Sequence, residues 1–285
     1  MQTLRRLILL VCLAASSAHG ADLVVATWNL KWFPSGGPLR ASEEAESERI
    51  RAAAAALRAL DPDIVLLQEV RDFEACHRLA TATGGLKVAI CSRFREVGGG
   101  PGWQQVAILA GEEAVAVWSE EWKTEGKVGP PRGFAFAHLR YGTHDVAVYS
   151  LHLKSNLAPA SDERARQLNL LKRELATEQL VRHLRVTEQR LKEQFEAVVV
   201  GGDFNTHPDQ FPSEITLQAL SSAGFRSGFE GLPAAERITR PANGGYPDAT
   251  FDYLFVRGFR VANRPLIVPT TLSDHRLVAR VLRLP

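Results

Sequence analysis

The sequence has few cysteines and little net charge. The 285 residues include 3 cysteines, and 34 lysines and arginines nearly balance 32 aspartates and glutamates. This balance does not indicate a strongly basic nucleic-acid-binding protein, although it is compatible with a local basic patch. The cysteines are not spaced as zinc ligands. No tract is biased enough to indicate a disordered tail or a repeat array, and a hydrophobic content of 45% predicts a sizeable core.

The first residues have the pattern of a signal peptide. Two arginines precede an apolar run over residues 7–15, which is too short to span a bilayer, and small residues follow just before Ala21. We therefore predict a signal peptide over residues 1–20 and a mature protein that is periplasmic or secreted and spans no membrane. The alternative is an uncleaved anchor.

Export changes the interpretation of charge and of the cysteines. Cleavage removes 2 of the 34 basic residues and no acidic one. The mature chain then has 32 basic and 32 acidic residues and is formally neutral. The mature chain keeps only Cys76 and Cys91. In an oxidising compartment such a pair indicates a disulfide, which would stabilise the fold by about 3 kcal/mol in the chain-entropy model. The alternative is two unpaired thiols.

Short apolar runs dominate the rest of the chain, and they read as strands more often than as helices. We predict strands at 22–28, 63–70, 86–91, 104–110, 113–118, 133–139, 145–151, 197–201, 250–257 and 276–283, and helices at 42–60, 161–196 and 214–223, with one break in the second of these helices left open. Because many strands follow one another directly, two packed sheets with helices outside are favoured over a doubly wound parallel sheet. The glycine-rich stretch 98–102 is interpreted as a loop, so residues 21–285 are predicted to form one domain.

Polar side chains recur at the ends of these apolar strands, in the loops beside them, or within them. They are Asn29, Glu69, His152, Asp203, Asn205, Asp252, Asp274 and His275. Carboxylates and amides are hard oxygen ligands suited to Mg²⁺ or Mn²⁺, and also to Ca²⁺. Histidines beside them can supply protons or positive charge to a phosphate. No serine, cysteine or lysine stands out as an activated nucleophile, so water oriented by a carboxylate is the expected attacker.

In their order, these segments resemble the endonuclease/exonuclease/phosphatase superfamily, which includes pancreatic-type deoxyribonuclease, apurinic-site endonucleases, bacterial sphingomyelinases and inositol-polyphosphate 5-phosphatases. The matching pieces are Thr27-Trp-Asn29-Leu, Leu67-Gln-Glu69-Val, Ser150-Leu-His152-Leu-Lys154-Ser155, Gly201-Gly-Asp203-Phe-Asn205, Phe251-Asp252-Tyr-Leu-Phe and Ser273-Asp274-His275. The resemblance implies an α+β fold: a four-layer α/β/β/α sandwich of two packed, mainly antiparallel sheets flanked by helices. The site is expected where the sheets meet.

The resemblance also implies metal and substrate contacts. Glu69 is expected as the principal ligand of Mg²⁺ or Mn²⁺, with Asn29 beside the metal and Asp274 as a further ligand or a group behind one. Lys154, together with Asn205 and His275, is expected to bind substrate.

The implied catalytic roles fall to five residues. Asp203 would position and deprotonate the attacking water, and Asn205 would hold a phosphate oxygen. His275 would bind the scissile phosphate as a cation, with its ring oriented by Asp252. His152 would lie on the leaving-group side. In pancreatic-type deoxyribonuclease the matching histidine is paired with a glutamate, whereas the corresponding stretch here, residues 103–106, carries glutamines, so the general-acid role of His152 is less secure than its place.

Three functions are compatible with this pattern. A nuclease acting on DNA or RNA is the first, with Trp32, Phe33 and Trp103 as candidate contacts to a strand. The second is a phosphatase or phospholipase-type phosphodiesterase. A lipid-directed enzyme should expose an apolar hairpin, for which Trp118–Trp122 is the only candidate. The third is a non-catalytic binding module, which the complete set of catalytic-type residues disfavours. No stable protein partner is implied, and a monomer is expected.

Overall fold

A computed structural model describes residues 22–285 with the exception of 97–99, 101, 160, 193 and 262. The predicted signal peptide therefore lies outside the described residues, as do residues 98, 99 and 101 of the predicted glycine-rich loop. The described strands are β1 Asp22–Phe33, β2 Ile64–Val70, β3 Lys87–Cys91, β4 Gln105–Ala110, β5 Ala114–Glu121, β6 Gly133–Tyr141, β7 His144–His152, β8 Ala197–Asp203, β9 Arg226–Ser227, β10 Asp252–Arg257, β11 Arg260–Val261, β12 Leu266–Val268 and β13 Leu277–Arg283. The described helices are α1 Glu43–Arg58, α2 Phe73–Thr83, α3 Glu163–Leu191, α4 Thr216–Ser222 and one turn of 3₁₀ helix, Ala234–Glu236.

The strands form two mixed sheets. The first has the order β11-β13-β1-β2-β4-β3, with β12 also paired to β13, and the second has the order β5-β6-β7-β8-β10-β9. Each sheet contains one parallel pair, β1 with β2 and β7 with β8, and the other pairs are antiparallel. The predicted fold class, two packed, mainly antiparallel sheets flanked by helices, is confirmed.

Alternation along the strands divides the buried residues between two layers. Leu66 belongs to a cluster that runs between the sheets and on to Leu180 of α3. Its neighbour Leu67 points the other way and packs with Leu57 and Leu79 of α1 and α2. Successive side chains of a strand face opposite sides, so one apolar run serves both layers. Each such leucine contributes about 1.5–3 kcal/mol by burial.

The helices include one element that was not predicted. Residues 73–83 were assigned to no helix or strand, and they form α2. The Asp72 side chain caps its N-terminus by accepting from Ala75 N at 2.8 Å, and Gly84 ends it with φ = 84°. The third helix, for which one break was left open, is a single helix of 29 residues. Among the described residues, no helix has the length and apolarity needed to cross a membrane.

Cys76 and Cys91 are free thiols in the structure, not the predicted disulfide. The two side chains meet because α2 packs against β3. The neighbouring Cys91 thiol, together with burial, raises the pKa of Cys76. Their proximity keeps the disulfide a prediction for the protein in an oxidising compartment.

Two aromatic predictions change with the fold. Phe33 is fully buried beneath the first sheet, so the prediction that it contacts a nucleic-acid strand is wrong. The Trp118–Trp122 segment is not an exposed apolar hairpin. Trp118 packs on Phe136 with ring centroids 4.2 Å apart, and Trp122 is 7% exposed and packs on Phe134. Trp32 and Trp103 are half-buried.

Candidate active site

The strand register of the second sheet places three of the predicted residues side by side. His152 at the end of β7 pairs with Asp203 at the end of β8, and Asp203 pairs with Asp252 at the start of β10. All three are buried. The apolar runs before each residue fix the strands in the core, and the register then places the polar side chains at one edge of the sheet.

Two glycines allow the strand that carries Asp203 to lie this close to its neighbours. A Cβ on Gly201 would lie 2.5 Å from a methyl group of Leu66, which belongs to the facing sheet. A Cβ on Gly202, where φ is +146°, would lie 2.0 Å from the carbonyl oxygen of Leu151. Side chains at either position would push β8 away from β7 or from the first sheet. The Gly-Gly pair before Asp203 is therefore a steric requirement of the site.

The first sheet contributes Asn29 and Glu69 from its parallel pair. The β1–β2 register shifts after Asn29, and Glu69 takes a left-handed conformation with φ = 57°. The Asn29 amide nitrogen donates to Glu69 Oε1 at 3.2 Å and to Asp203 Oδ2 at 2.9 Å. The backbone N–H of Trp32 donates to Glu69 Oε2 at 3.1 Å. Asn29 therefore links the carboxylates of the two sheets.

His275 is held from both its backbone and its ring. The Trp28 indole N–H donates to the His275 carbonyl at 3.3 Å, and the His275 N–H donates to the Ser273 hydroxyl at 3.1 Å. Its ring Nδ1 lies 2.8 Å from Asp252 Oδ2, and its Nε2 lies 3.8 Å from Asp203 Oδ2. Burial by itself would lower the pKa of His275, but the two carboxylates outweigh burial and raise this pKa to about 10. His275 is therefore a cation at neutral pH.

Asp203 is a buried carboxylate that lies beside other carboxylates, and both conditions disfavour its ionised form. Burial, followed by repulsion from Asp252 and Glu69, raises the pKa of Asp203 to about 7, against the opposing effects of His275 and Asn29. Its Oδ1 accepts from the backbone N–H of Asn205 at 2.9 Å. A carboxylate with a pKa near neutrality is suited to accept a proton.

His152 lies between the two sheets with Nε2 3.4 Å from Asp203 Oδ2 and 4.0 Å from Glu69 Oε1. Burial, followed by repulsion from Arg132, holds the pKa of His152 well below its usual value. Its Nδ1 is buried and has no hydrogen-bond partner within the described part of the chain. The ring is therefore neutral, with its proton best placed on Nε2, facing the carboxylates.

Arg132 takes the space behind His152. Its guanidinium donates to the carbonyls of His152 at 3.1 Å and Leu153 at 2.8 Å, and to the Gln104 side chain at 3.2 Å. Gln104 is thus paired with a buried cation and not with the His152 ring. The sequence analysis missed Arg132 because nothing in its local sequence marks it.

The cavity enclosed by these residues has a volume of about 210 Å³. It brings together six of the predicted site residues: Glu69, His152, Asp203, Asn205, Asp274 and His275. Lys154 directly precedes Ser155, which lines the cavity. The Lys154 amine donates to the carbonyl and the hydroxyl of Ser155, both at 3.1 Å. A larger cavity of about 650 Å³ between β5 and α3 is lined by Trp118, His183 and their neighbours. Its walls lack these carboxylates, so chemistry and not size identifies the site.

The donor set of the cavity fits a hard divalent cation. Ligand atoms of Asp203, Asp252 and His275 all lie within 4.8 Å of one another, but a protonated His275 has no ring nitrogen free for a metal, so the carboxylates are the donors. Asp252 Oδ1 is buried without a hydrogen-bond partner among the described residues, and Glu69 lines the cavity together with Asp203. Carboxylate oxygens are the ligands that Mg²⁺ and Mn²⁺ prefer. Asn29 presents its amide nitrogen, not its oxygen, to these carboxylates, and its place beside the metal stays a prediction.

Solved structures with the same fold come from several organisms. Truncated TDP2 from Caenorhabditis elegans has a TM-score of 0.63 at 15% identity, over 92% of this chain and 98% of that one. The human Nocturnin catalytic domain has a TM-score of 0.64 at 19% identity, over 93% and 95%. An endonuclease/exonuclease/phosphatase family protein from Bacteroides thetaiotaomicron has a TM-score of 0.66 at 16% identity, over 93% and 99%.

Sequence comparison gives the family directly. A search of the curated proteins returns no significant match. Residues 26–275 match the Endonuclease/Exonuclease/phosphatase family, a span that runs from β1 to His275 and includes every residue of the cavity described above. The chain therefore belongs to the Endonuclease/Exonuclease/phosphatase family.

Proposed function

We propose that this protein is an exported, divalent-metal-dependent phosphodiesterase that hydrolyses nucleic acid by attack of water. The observation that carries the proposal is the pair formed by Asp203 and His275, a proton-accepting carboxylate and a buried cation 3.8 Å apart in one cavity. Phosphoryl transfer is catalysed mainly by positioning and by neutralisation of developing negative charge. This pair offers one group for each of these needs.

In this mechanism Asp203 accepts the proton of the attacking water. Its carboxylate is oriented by the backbone N–H of Asn205 and by the Asn29 amide. His275, held by Asp252, binds a non-bridging phosphate oxygen and neutralises the charge that grows there. The Asn205 side chain lines the same cavity and contributes a neutral contact to the phosphate. A divalent cation held by Glu69 and the neighbouring carboxylates would supply further positive charge to the phosphate.

His152 acts as a neutral hydrogen-bond donor in this scheme. Its ring lacks a carboxylate partner on Nδ1 within the described residues, and Arg132 disfavours the imidazolium. An Nε2–H that faces the cavity can still stabilise an oxygen of the leaving group or of the phosphate. A neutral His152 acts here as a hydrogen-bond donor and not as a general acid.

Nucleic acid is favoured over a lipid headgroup because Trp118 and Trp122 pack on Phe136 and Phe134, and neither is an exposed side chain of the kind that would insert into a membrane. Half-buried Trp32 and Trp103 stay candidate contacts for a strand, and the Arg40 guanidinium lies 6.0 Å from the Trp103 ring centroid. Stacking of bases on aromatic rings and phosphate contacts from arginine are the usual means of binding single strands.

A substrate panel tests the function. Purified mature protein with Mg²⁺ or Mn²⁺ should hydrolyse bis(4-nitrophenyl) phosphate and degrade DNA or RNA, and chelation should abolish both activities. Asp203→Asn should lower kcat by at least about 100-fold. Glu113→Gln is the matched control, because that side chain is 86% exposed and lies in the β4–β5 turn. Hydrolysis of phospholipids with no nucleic-acid cleavage would reject the substrate, and full activity of Asp203→Asn would reject the site.

Export is tested separately. The sequence pattern of residues 1–20 supports cleavage before Ala21, so the protein recovered from outside the cytoplasm should begin at Ala21 by mass spectrometry. A protein retained in the membrane with an intact N-terminus would contradict export.

A further inference from the structure

One arginine in the wall of the cavity has unused donors. Arg240 lines the cavity, and its side chain is only 17% exposed. Its nearest acidic group, Asp274 Oδ2, is 3.8 Å away, beyond hydrogen-bond distance, and within the described chain its guanidinium makes no hydrogen bond. Arg132, by contrast, uses its guanidinium on three acceptors. A largely desolvated guanidinium with free N–H groups is a binding site for an anion.

The segment that carries Arg240 is fixed to the catalytic residues. Arg240 and Ala249 exchange backbone hydrogen bonds of 2.9 Å. The hydroxyl of the preceding residue, Thr239, accepts the N–H groups of Phe251 at 2.9 Å and Asp252 at 3.0 Å. This hairpin, residues 240–249, therefore holds a constant position relative to Asp252.

Tyr246 lies on the same hairpin and stacks with Arg240. The guanidinium carbon of Arg240 is 5.4 Å from the centroid of the Tyr246 ring. Tyr246 also lines the cavity, yet it is 52% exposed, so one face of its ring is open. An exposed aromatic ring beside a free guanidinium matches a nucleotide, which has a flat base and a charged phosphate.

Two cationic side chains share the single carboxylate of Asp274. Lys31 Nζ lies 3.8 Å from Asp274 Oδ2, and Arg240 lies at the same distance from the same oxygen. One carboxylate is shared by two cations, so Asp274 does not fully neutralise Arg240, the one of the two that lines the cavity. This charge is available to a second phosphate of the substrate, in addition to the scissile one.

We infer that Arg240 and Tyr246 form a subsite for the nucleotide adjacent to the scissile bond. Arg240 binds the neighbouring phosphate of the strand, and Tyr246 stacks on the base. The inference rests on the proposed phosphodiesterase function and adds to it that the substrate is a nucleotide chain with a second phosphate, and not an isolated phosphoester.

Three chromogenic substrates with the same leaving group test this subsite: bis(4-nitrophenyl) phosphate, the 4-nitrophenyl ester of thymidine 5′-phosphate, and the same ester with an added 3′-phosphate. The full chain should show kcat/KM about 10- to 100-fold higher for the third substrate than for the second, since a hydrogen bond to a charged group has that value. Arg240→Gln should remove this preference, measured as the ratio of kcat/KM for the third substrate to kcat/KM for the second. Arg264→Gln is the matched control, because that arginine is 73% exposed.

Tyr246 variants separate stacking from folding. Tyr246→Phe keeps the ring and should keep the rates on both thymidine esters. Tyr246→Ala should lower kcat/KM on both by about 5-fold or more, with the thermal unfolding midpoint of the wild type. Equal rates of the wild-type protein on the two thymidine esters would overturn the phosphate subsite while leaving the phosphodiesterase proposal intact. If the protein hydrolyses none of the three substrates, both the phosphate subsite and the phosphodiesterase proposal are overturned.

Discussion

Replacement of Asp252 by asparagine should shift the alkaline limit of activity to lower pH. Asp252 is fully buried, and its carboxylate lies 2.8 Å from His275 Nδ1. The raised pKa of His275, about 10, results from Asp252 and Asp203 acting against burial. Asparagine keeps the shape but removes one of the two charges, so the pKa of His275 should fall by about 1–3 units. Because the proposed mechanism uses the cationic form of His275, activity should be lost from a correspondingly lower pH.

The assay measures kcat/KM for bis(4-nitrophenyl) phosphate as a function of pH. The protonation of the His275 ring is followed directly by ¹H–¹⁵N NMR of the metal-free protein. Wild type should lose activity as pH rises through about 10, the folded-state pKa of His275. The NMR titration of His275 in the variant should move with the kinetic limit. If both stay at the wild-type pH, Asp252 does not hold the proton on His275 and the electrostatic account is wrong.

Three further outcomes are expected. Gly202→Ala should destabilise the fold by more than about 3 kcal/mol in denaturant unfolding, because its Cβ would lie 2.0 Å from Leu151 O. Gly37→Ala is the control: a Cβ added at Gly37 would meet no neighbouring heavy atom within 4 Å, so the free energy of unfolding should change little. Oxidation should bond Cys76 to Cys91, detectable by mass spectrometry, and stabilise the protein by about 3 kcal/mol relative to the reduced form; thiols that stay free would reject the pairing. Chelation should abolish hydrolysis and Mg²⁺ restore it; activity that survives chelation contradicts metal dependence.

Most of the candidate site is predictable because the ends of apolar strands can be recognised in the sequence. Apolar β-branched runs stop where Asn29, Glu69, His152 and Asp203 begin, and parallel strands bring such ends to one edge. The resemblance then supplied the order of the pieces. What the pattern lacks is the pairing between sheets: the contact of Asn29 with Asp203 joins residues 174 positions apart.

The residues that sequence analysis missed depend on tertiary position. Arg132 is surrounded by prolines and glycine, and only the fold shows that its guanidinium lies behind His152. Arg240 is one of several arginines in a turn-rich segment, and its free donors are evident only from its neighbours. The omission of helix 73–83 has a different cause, since its Asp72 cap and Gly84 stop were present in the sequence.

The opposite demands on Asp203 and His275 define the working range of the site. Between about pH 7 and about pH 10 Asp203 is ionised while His275 is protonated. Ionisation of Asp203 costs stability, because its folded pKa is raised and the folded state binds its proton more tightly than the unfolded chain. The raised pKa of His275 stabilises the fold at low pH, and this contribution is lost as pH rises from 6.5 to about 10. The cation therefore offsets part of the cost of a buried, ionised base over the range in which that base can accept a proton.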